Sequence, residues 1–311
     1  MYNFPAKYVS MVVVSIPVDH TDRPREKEGM GMRIVNLIEN LPGQAKLACE
    51  HGLSFYIETR RHKILVDAGT TGQFADNAEQ LGVDLGQVDL AVLSHGHYDH
   101  GGGLVRFTEI NSRAPIYRRE GADGAYYHQT GESLRYIGLP EEIKKLPQFI
   151  TVEGDLQIDE EVSLFSEVTG RRHWPSGNRE LVQLCDEAVC QDEFAHEQYL
   201  ALFCEGRRVL VSGCAHNGIL NILDRYRQLY GADPDLVFSG FHMAKKQGLT
   251  EQDREEIRET ALELTEMSTT FYTGHCTGQE AFGIMKEIMG DKLHYMYCGD
   301  QVCIDGTECR D

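Results

Sequence analysis

The sequence predicts an α/β protein in two halves, each a β-sheet with helices on its outer side. Short apolar segments typical of strands alternate with amphipathic segments typical of helices, early in the chain and again from about residue 199. The chain has 311 residues, of which 41% are hydrophobic, enough for a sizeable core. A histidine-rich segment directly follows one predicted strand. We therefore expect sheets covered by helices, with the chemistry located where strands end.

The first half of the chain contains a short series of predicted strands and one helix. Glycine at position 82 and the Asp-Ala-Gly sequence at 67–69 are typical chain turns. The predicted elements are a strand at 32–39, a hairpin of 53–59 and 63–67 around a turn at 60–62, a helix at 71–81 and a strand at 88–93.

The second half shows clearer helical periodicity. Apolar residues in 218–230 recur at helical spacing, and Gly231 ends the segment. Capping boxes are predicted at Thr250 with Asp253 and at Thr277 with Glu280. The other predicted strands are a hairpin of 199–204 and 207–211 and single strands at 236–239, 269–273 and 293–298. One further helix is predicted to begin at 250, and another to run over 277–290.

Charge and composition exclude some classes of partner. The net charge of −19 argues against a nucleic-acid partner, because phosphate binding needs a basic surface. No run of about 18 apolar residues suggests a membrane span. The nine cysteines are scattered without framework spacing, so we expect reduced thiols in a cytoplasmic protein. A metal site at Cys298, Cys303 and Cys309 is left open, although no C-x-x-C pair supports it.

The segment 94–103 is the most informative part of the sequence. It places three imidazoles and one carboxylate, those of His95, His97, Asp99 and His100, within six positions. These groups suit Zn²⁺ and neighbouring transition metals. In an extended turn, residues two apart point the same way, so His95 and His97 can bind one metal. A single histidine would more often be an ordinary core or surface residue, but this density predicts a metal site.

Two further histidines stand in equivalent places. His216 follows the strand at 207–211 and precedes a helix, which makes it the best third ligand for the metal at His95 and His97. His275 stands between a strand and a helix in the same way. With Asp99 and His100 it would complete a second metal position.

The pattern His-x-His-x-Asp-His after an apolar strand resembles the metallo-β-lactamase superfamily of metal-dependent hydrolases. The resemblance extends to a subfamily containing the methanopterin-biosynthesis enzyme that joins a dihydropterin pyrophosphate to ribofuranosyl-aminobenzene 5′-phosphate. It implies an αββα sandwich as one domain over 32–311, with 1–31 as an N-terminal extension or extra strand. It also implies a variable, substrate-shaping region at about 111–192. The resemblance rests on residues 50–54, 94–104, 212–218, 240–242 and 273–276.

The resemblance also implies roles for single residues. Asp67 would orient the ligand loop from behind the metal, and Glu197 is a weaker candidate for such a role. The family's bridging aspartate is missing, because Ser239 or Gly240 occupies its place. His242 could be a substitute ligand or a hydrogen-bond donor to a substrate oxyanion, and we favour the donor role.

The expected function is that of a metal-dependent hydrolase or transferase acting on an anionic, phosphorylated small molecule. Metal-activated water or the metal as Lewis acid would act on the substrate, with Asp99 and His242 as catalytic residues. Arg171, Arg172 and Trp174 are candidate substrate contacts. The expected reactions are a pterin-type condensation with loss of pyrophosphate and hydrolysis of a phosphoester.

Several alternatives stay open at this point. A thioester or lactone hydrolase of the same fold would lack phosphate-binding basic groups. A non-catalytic metal-binding sensor is favoured only by the missing aspartate. One or two Zn²⁺ ions are expected, with Mn, Fe or Ni as alternatives. Neither nucleic acid nor a membrane is an expected partner, and a homodimer is left open.

Overall fold

A computed structural model describes residues 31–43, 46–185 and 188–304. The predicted extension at 1–31 lies, except for its last residue, outside the described residues, as does Cys309 of the C-terminal cysteines. The strands up to residue 157 are β1 (Met32–Ile38), β2 (Ser54–Glu58), β3 (Lys63–Val66), β4 (Leu90–Leu93), β5 (Ile116–Arg119), β6 (Tyr126–Thr130), β7 (Ser133–Tyr136), β8 (Phe149–Val152) and β9 (Leu156–Gln157).

The remaining strands lie in the second half of the chain. They are β10 (Val162–Phe165), β11 (Leu181–Cys185), β12 (Ala188–Gln191), β13 (Tyr199–Cys204), β14 (Arg207–Val211), β15 (Leu236–Phe238), β16 (Thr270–Thr273), β17 (Leu293–Tyr295) and β18 (Gln301–Ile304). The helices are α1 (Gln73–Gln80), α2 (Tyr98–Gly101), α3 (Leu104–Ile110), α4 (Glu141–Lys144), α5 (Ile219–Tyr230), α6 (Glu251–Thr265) and α7 (Gln279–Met289).

Two large sheets carry the fold. The first has the strand order β18-β1-β2-β3-β4-β5-β8 and the second the order β17-β16-β15-β14-β13-β10-β9. Strands β3, β4, β5 and β8 run parallel in the first sheet, and β14 to β17 run parallel in the second. Because the carboxyl ends of parallel strands meet at one edge, the loops after β4, β14, β15 and β16 can converge.

Three apolar layers hold these sheets and helices together. Ile34, Ile64 and Val92 of the first sheet pack against Leu200 and Val209 of the second. Helices α1 and α3 cover the outer face of the first sheet, and α5, α6 and α7 cover that of the second. This arrangement is the αββα sandwich that the sequence resemblance implied. Among the described residues, no helix is both long and apolar enough to cross a bilayer.

The region 111–192, expected to shape the substrate pocket, contains a third and smaller sheet. Its strand order is β12-β11-β6-β7, and all its pairings are antiparallel. An isolated bridge between His97 and Gly138 joins the histidine motif to the chain that follows β7. The third sheet therefore lies beside the histidine motif.

Two sequence predictions about helix ends have opposite outcomes. The capping box at Thr250 and Asp253 is confirmed, with both reciprocal hydrogen bonds formed. The one at Thr277 and Glu280 is wrong, because α7 starts after Gly278 without a side-chain cap. The Thr277 hydroxyl instead accepts from the backbone N–H of Phe241 at 2.9 Å, and so ties the loop after β15 to the loop after β16.

The cysteines also depart from expectation at one position. Seven cysteines of the described chain carry free thiols, whereas Cys303 is disulfide-bonded. The expectation of reduced thiols therefore fails at Cys303. Cys298 is buried, and its thiol donates to the backbone carbonyls of Leu37 and Ala48.

Candidate metal centre

The loops after four parallel strands bring the histidines together. His95 and His97 follow β4, and His216 follows β14. His242 follows β15, and His275 follows β16. Four loop residues in and around the site adopt left-handed backbone conformations, which residues other than glycine rarely take. They are Asp67, Ala215, His242 and His275. Such strained backbone clusters at functional sites.

His95, His97 and His216 form a compact triangle. Their ring centroids lie 4.5, 4.8 and 4.9 Å apart, and each ring is almost completely buried. In each ring Nε2 is buried without a hydrogen-bond partner. Burial is the main cause that lowers the pKa of all three imidazoles, that of His97 to about 3. Three neutral rings with orphaned nitrogens fit a metal, which binds the deprotonated imidazole.

The opposite ring nitrogens of two of these histidines are held in place. His95 Nδ1 lies 2.9 Å from Ser94 Oγ, which in turn donates to Asp67 at 2.7 Å. His216 Nδ1 lies 3.0 Å from the Oδ1 of the buried Asn178. Occupying Nδ1 as a donor fixes the tautomer that leaves Nε2 free for a metal.

Asp67 is the centre of this supporting network. Its carboxylate accepts from the Ser94 N–H at 2.7 Å and from the Ser94 hydroxyl, and lies 2.6 Å from His100 Nδ1. The carboxylate of Glu197 accepts from the N–H groups of His216 and Asn217 at 2.7 and 2.9 Å. Asp67 thus contacts one candidate ligand ring directly, and Glu197 holds the loop that carries another.

Asp67→Asn is expected to weaken metal binding about 10- to 100-fold, the usual cost of losing an outer partner of the ligands. The amide cannot accept from Ser94 and His100 as the carboxylate does. Isothermal titration of metal-free protein with Zn²⁺ measures the change. Asp76→Asn, on the exposed side of α1, removes the same charge away from the site and serves as control. Equal affinities for the two variants would remove Asp67 from the support of the centre.

A second group lies beside the triangle. Asp99 Oδ2 lies 3.4 Å from His275 Nε2 and 3.9 Å from His100 Nε2. His275 Nδ1 contacts Asn40 Oδ1 at 2.9 Å. One ring nitrogen each of His100 and His275 lies within 4.8 Å of the thiol sulfur of Cys214. The structure thus brings together the three residues expected at a second metal position.

Charge in this second group is tightly compensated. Although burial opposes ionisation, the imidazoles of His100, His275 and His51 hold the pKa of the Asp99 carboxyl well below its usual range. Burial also lowers the pKa of His100, but Asp67 and Asp99 outweigh it and raise that pKa to about 9. A metal at this position must therefore displace a proton from His100.

The place of the expected bridging aspartate is filled differently. Ser239 is buried, and its hydroxyl donates to the Gly240 carbonyl at 2.6 Å. A Cβ atom at Gly240 would lie 2.4 Å from the Cys276 sulfur, so no side chain fits there. His242 has a buried Nδ1 without a partner, and its ring centroid lies 4.1 Å from that of His216.

Two residues near the centre escaped the sequence analysis as site candidates. Cys214 lies within 4.8 Å of ring nitrogens from both groups of histidines. Its Cys-x-His spacing to His216 repeats the spacing of His95 and His97, and this was the available signal. His51 Nε2 lies 3.2 Å from Asp99 Oδ2 at the open side of the site. Its place within the segment 50–54, on which the family resemblance partly rests, was the available signal.

Of the proposed substrate residues, His242 lines the cavity that opens onto the centre, whereas Arg171, Arg172 and Trp174 lie outside it. The Arg171 guanidinium binds Glu193, and that of Arg172 binds Asp224 and Glu263. Trp174 packs at 5.9 Å against Phe194, whose ring stacks on His216 at 4.3 Å. Trp174 therefore supports the wall behind a candidate ligand, while the two arginines are neutralised by acids outside the cavity described next.

A cavity of about 310 Å³ opens onto the centre, a size typical of small-molecule sites. His97, Asp99, His216 and His275 form part of its floor. Besides the histidines of the centre and His242, the residues at the cavity that can carry positive charge are His51, His128, Arg135, Lys245 and Lys246. His128 and Lys245 are paired with acids, Glu180 and Asp253. Arg135 and Lys246 are exposed and form no ion pair within the described chain.

Comparison with known proteins agrees with this fold. The model of the metallo-β-lactamase superfamily matches residues 47–187. A curated relative from Methanocaldococcus jannaschii, 7,8-dihydropterin-6-methyl-4-(β-D-ribofuranosyl)-aminobenzene-5′-phosphate synthase, is 25% identical over 295 residues, which is 86% of this chain and 95% of the relative.

Similar solved structures have the same fold. One described as a metal-dependent hydrolase of the β-lactamase superfamily is 27% identical with a TM-score of 0.72, covering 88% of this chain and 99% of that one. The metallo-β-lactamase fold protein YhfI from Bacillus subtilis is 13% identical with a TM-score of 0.50, covering 87% and 98%, and supports the fold alone. By its architecture and these relatives, the chain has the metallo-β-lactamase fold and is similar to members of that superfamily.

Proposed function

We propose that the chain is a metal-dependent enzyme acting on an anionic, phosphorylated small molecule. The observation that carries the proposal is the triangle of the His95, His97 and His216 rings, each with an orphaned Nε2, two of which line an open cavity. Neutral imidazoles in this number, with outer partners in place, suit a catalytic zinc-type site with an open position. The relative from Methanocaldococcus jannaschii, whose name contains a phosphate, supports the substrate class.

A metal held by these residues would supply Lewis-acid polarisation and activation of water. The ionised Asp99 carboxylate would accept a proton at Oδ2, which His51 Nε2 contacts at 3.2 Å. Because the side chain of His51 is 60% exposed, this pair could pass a proton between the buried floor and solvent. His242 would donate from its unpartnered ring nitrogen to a substrate oxygen.

Charge at the cavity mouth would select the substrate. The whole chain is acidic, yet Arg135 and Lys246 are exposed cations beside the centre. Guanidinium and ammonium groups bind phosphate oxygens, and both would attract an anion toward the metal. This pair replaces Arg171 and Arg172 as the proposed phosphate-binding residues.

Two reactions fit this arrangement, a pterin-type condensation with loss of pyrophosphate and hydrolysis of a phosphoester. The likeness to the synthase supports the condensation. The test loads purified protein with Zn²⁺ or Mn²⁺ and offers three substrates: a dihydropterin pyrophosphate with ribofuranosyl-aminobenzene phosphate, a phosphate monoester, and an acyl lactone. We expect release of pyrophosphate or phosphate. Turnover of the lactone alone would replace the proposal with a lactone hydrolase, and metal binding without any turnover would favour a sensor.

Removing the free cations should weaken binding of the phosphorylated substrate. Arg135→Ala and Lys246→Ala are each expected to raise KM about tenfold with little change in kcat. Hydrogen bonds to charged groups contribute about 1.5–3 kcal/mol, and exposure reduces this value. Lys145→Ala, which removes an exposed lysine directly after α4 that does not line the cavity, is the control. An unchanged KM in both cavity variants would place the substrate phosphate elsewhere.

His242→Ala should raise KM or lower kcat for a phosphorylated substrate while metal content stays the same. The reason is that a donor contacts substrate, whereas a ligand contacts metal. Steady-state kinetics and elemental analysis of the same preparation separate the two roles. Loss of one metal equivalent in this variant would make His242 a ligand and end its assignment as a donor.

A further inference from the structure

The two metal positions lack the shared carboxylate that the superfamily resemblance led us to expect. Two neighbouring dications repel each other strongly unless an anionic ligand lies between them. Such pairs are typically about 3.5–4 Å apart. Since Ser239 and Gly240 provide no carboxylate, another anionic group must join the positions if both are to be filled.

Resting on the metal centre proposed above, we propose that the Cys214 thiolate is the ligand shared by the two positions. Its sulfur lies within 4.8 Å of a ring nitrogen of His95 and of His216. On the other side, the sulfur lies 3.2 Å from His100 Nε2 and within 4.8 Å of a ring nitrogen of His275. No carboxylate of the described chain is grouped with both sets of histidines in this way.

The surrounding nitrogens provide independent support. His95, His216 and His275 each have a buried Nε2 that forms no hydrogen bond, although that of His275 lies 3.4 Å from Asp99 Oδ2, and each residue is at most 2% exposed. Buried imidazole nitrogens without partners are costly unless something binds them. These orphaned atoms lie on both sides of Cys214, which is itself only 3% exposed.

The Cys276 thiol explains why a carboxylate at Gly240, at the end of β15, cannot be the ligand shared by the two metal positions. The Cys276 sulfur occupies the space that a side chain at Gly240 would need, 2.4 Å from its Cβ. This sulfur accepts from the His242 N–H at 3.3 Å and donates to the Cys214 carbonyl at 3.6 Å. Cys276 therefore packs behind Cys214 and keeps the strand end free of larger residues.

A shared thiolate would also influence which metal binds. If metal ions bind there, Cys214 would lose its S–H proton to solvent and its sulfur would act as a ligand to both ions with no change in oxidation state. Thiolate is a soft ligand that favours Zn²⁺ or Fe²⁺ over Mg²⁺ and Mn²⁺. The centre would thus be selective even though its other groups are imidazoles and one carboxylate.

Cobalt substitution tests this assignment without relying on activity. Metal-free full-length protein is titrated with Co²⁺ while the near-ultraviolet thiolate-to-cobalt charge-transfer band is recorded and bound metal is counted. Wild type is expected to bind two equivalents and to show the band. Cys214→Ala is expected to lose the band and to bind the second equivalent at least tenfold more weakly. Cys214→Asp should restore the second equivalent without the band.

Cys276→Ala and Cys298→Ala are the matched controls, the first beside Cys214 and the second remote from the centre. Both are expected to keep the band and both equivalents, and thermal melts followed by circular dichroism check that every variant folds. A band and two equivalents retained in Cys214→Ala would overturn the inference. Wild type that binds cobalt without the band would also overturn it and leave the proposed function standing. Wild type that binds no metal would overturn both.

Discussion

His216→Ala should remove the metal from the position at His95 and His97 and lower turnover more than about 100-fold. Losing a residue that only supports a metal ligand already lowers metal affinity or activity about 10- to 100-fold. His216 is itself a proposed ligand, so the effect should be larger. The two remaining imidazoles cannot hold a catalytic metal with the usual three protein ligands. Elemental analysis and steady-state kinetics on one preparation measure both effects.

The control for this variant is His294→Ala, which removes a half-buried histidine on β17 outside the centre. It should keep wild-type metal content and turnover. His216 also packs against Phe194, so a fall in melting temperature must be measured separately from metal loss. If His216→Ala keeps its full metal content, the three-histidine position does not exist as described.

The second large effect is expected for Asp99→Ala, which should lower turnover about 10²- to 10⁴-fold. Metal at the first position should remain, because Asp99 faces His275 and His100 and not the triangle. The carboxylate is held ionised at neutral pH, so it can bind a cation there. Single-turnover kinetics with metal counting measures this change.

Asp99→Asn separates two roles of the carboxylate, because the amide keeps the shape and a weak ligand oxygen but cannot accept a proton. Asp291→Ala, an exposed residue after α7, controls for the general loss of a negative charge. Turnover within twofold of wild type in Asp99→Ala would exclude it from the mechanism. Loss of all metal in that variant would instead show that the two positions cannot be filled independently.

The clustering of the histidines was largely predictable from the sequence. A period of two after a strand places His95 and His97 on one side, and His216 and His275 recur at the same kind of strand end. The glycines after the motif were also informative: a Cβ at Gly102 or Gly103 would lie 2.2 or 2.1 Å from backbone oxygens. Such close packing of backbone holds the motif against the loop after β3.

The substrate residues were not predictable in the same way. Arg171 and Arg172 look available in sequence, but nearby acids from other elements neutralise them. Arg135 enters the site only because β7 belongs to a third sheet, a pairing that no local pattern encodes. Cys214 carried a readable spacing, yet a thiol in a chain with scattered cysteines has no distinguishing signal until the fold surrounds it with histidines.

The central claim is that His95, His97 and His216 hold one metal at the floor of the cavity. Crystals of the zinc-loaded protein, with anomalous diffraction recorded above and below the zinc edge, test it most directly. We predict an anomalous peak about 2.0–2.1 Å from a ring nitrogen of each of the three histidines. A fully loaded crystal whose anomalous peaks all lie away from these three rings would contradict the account.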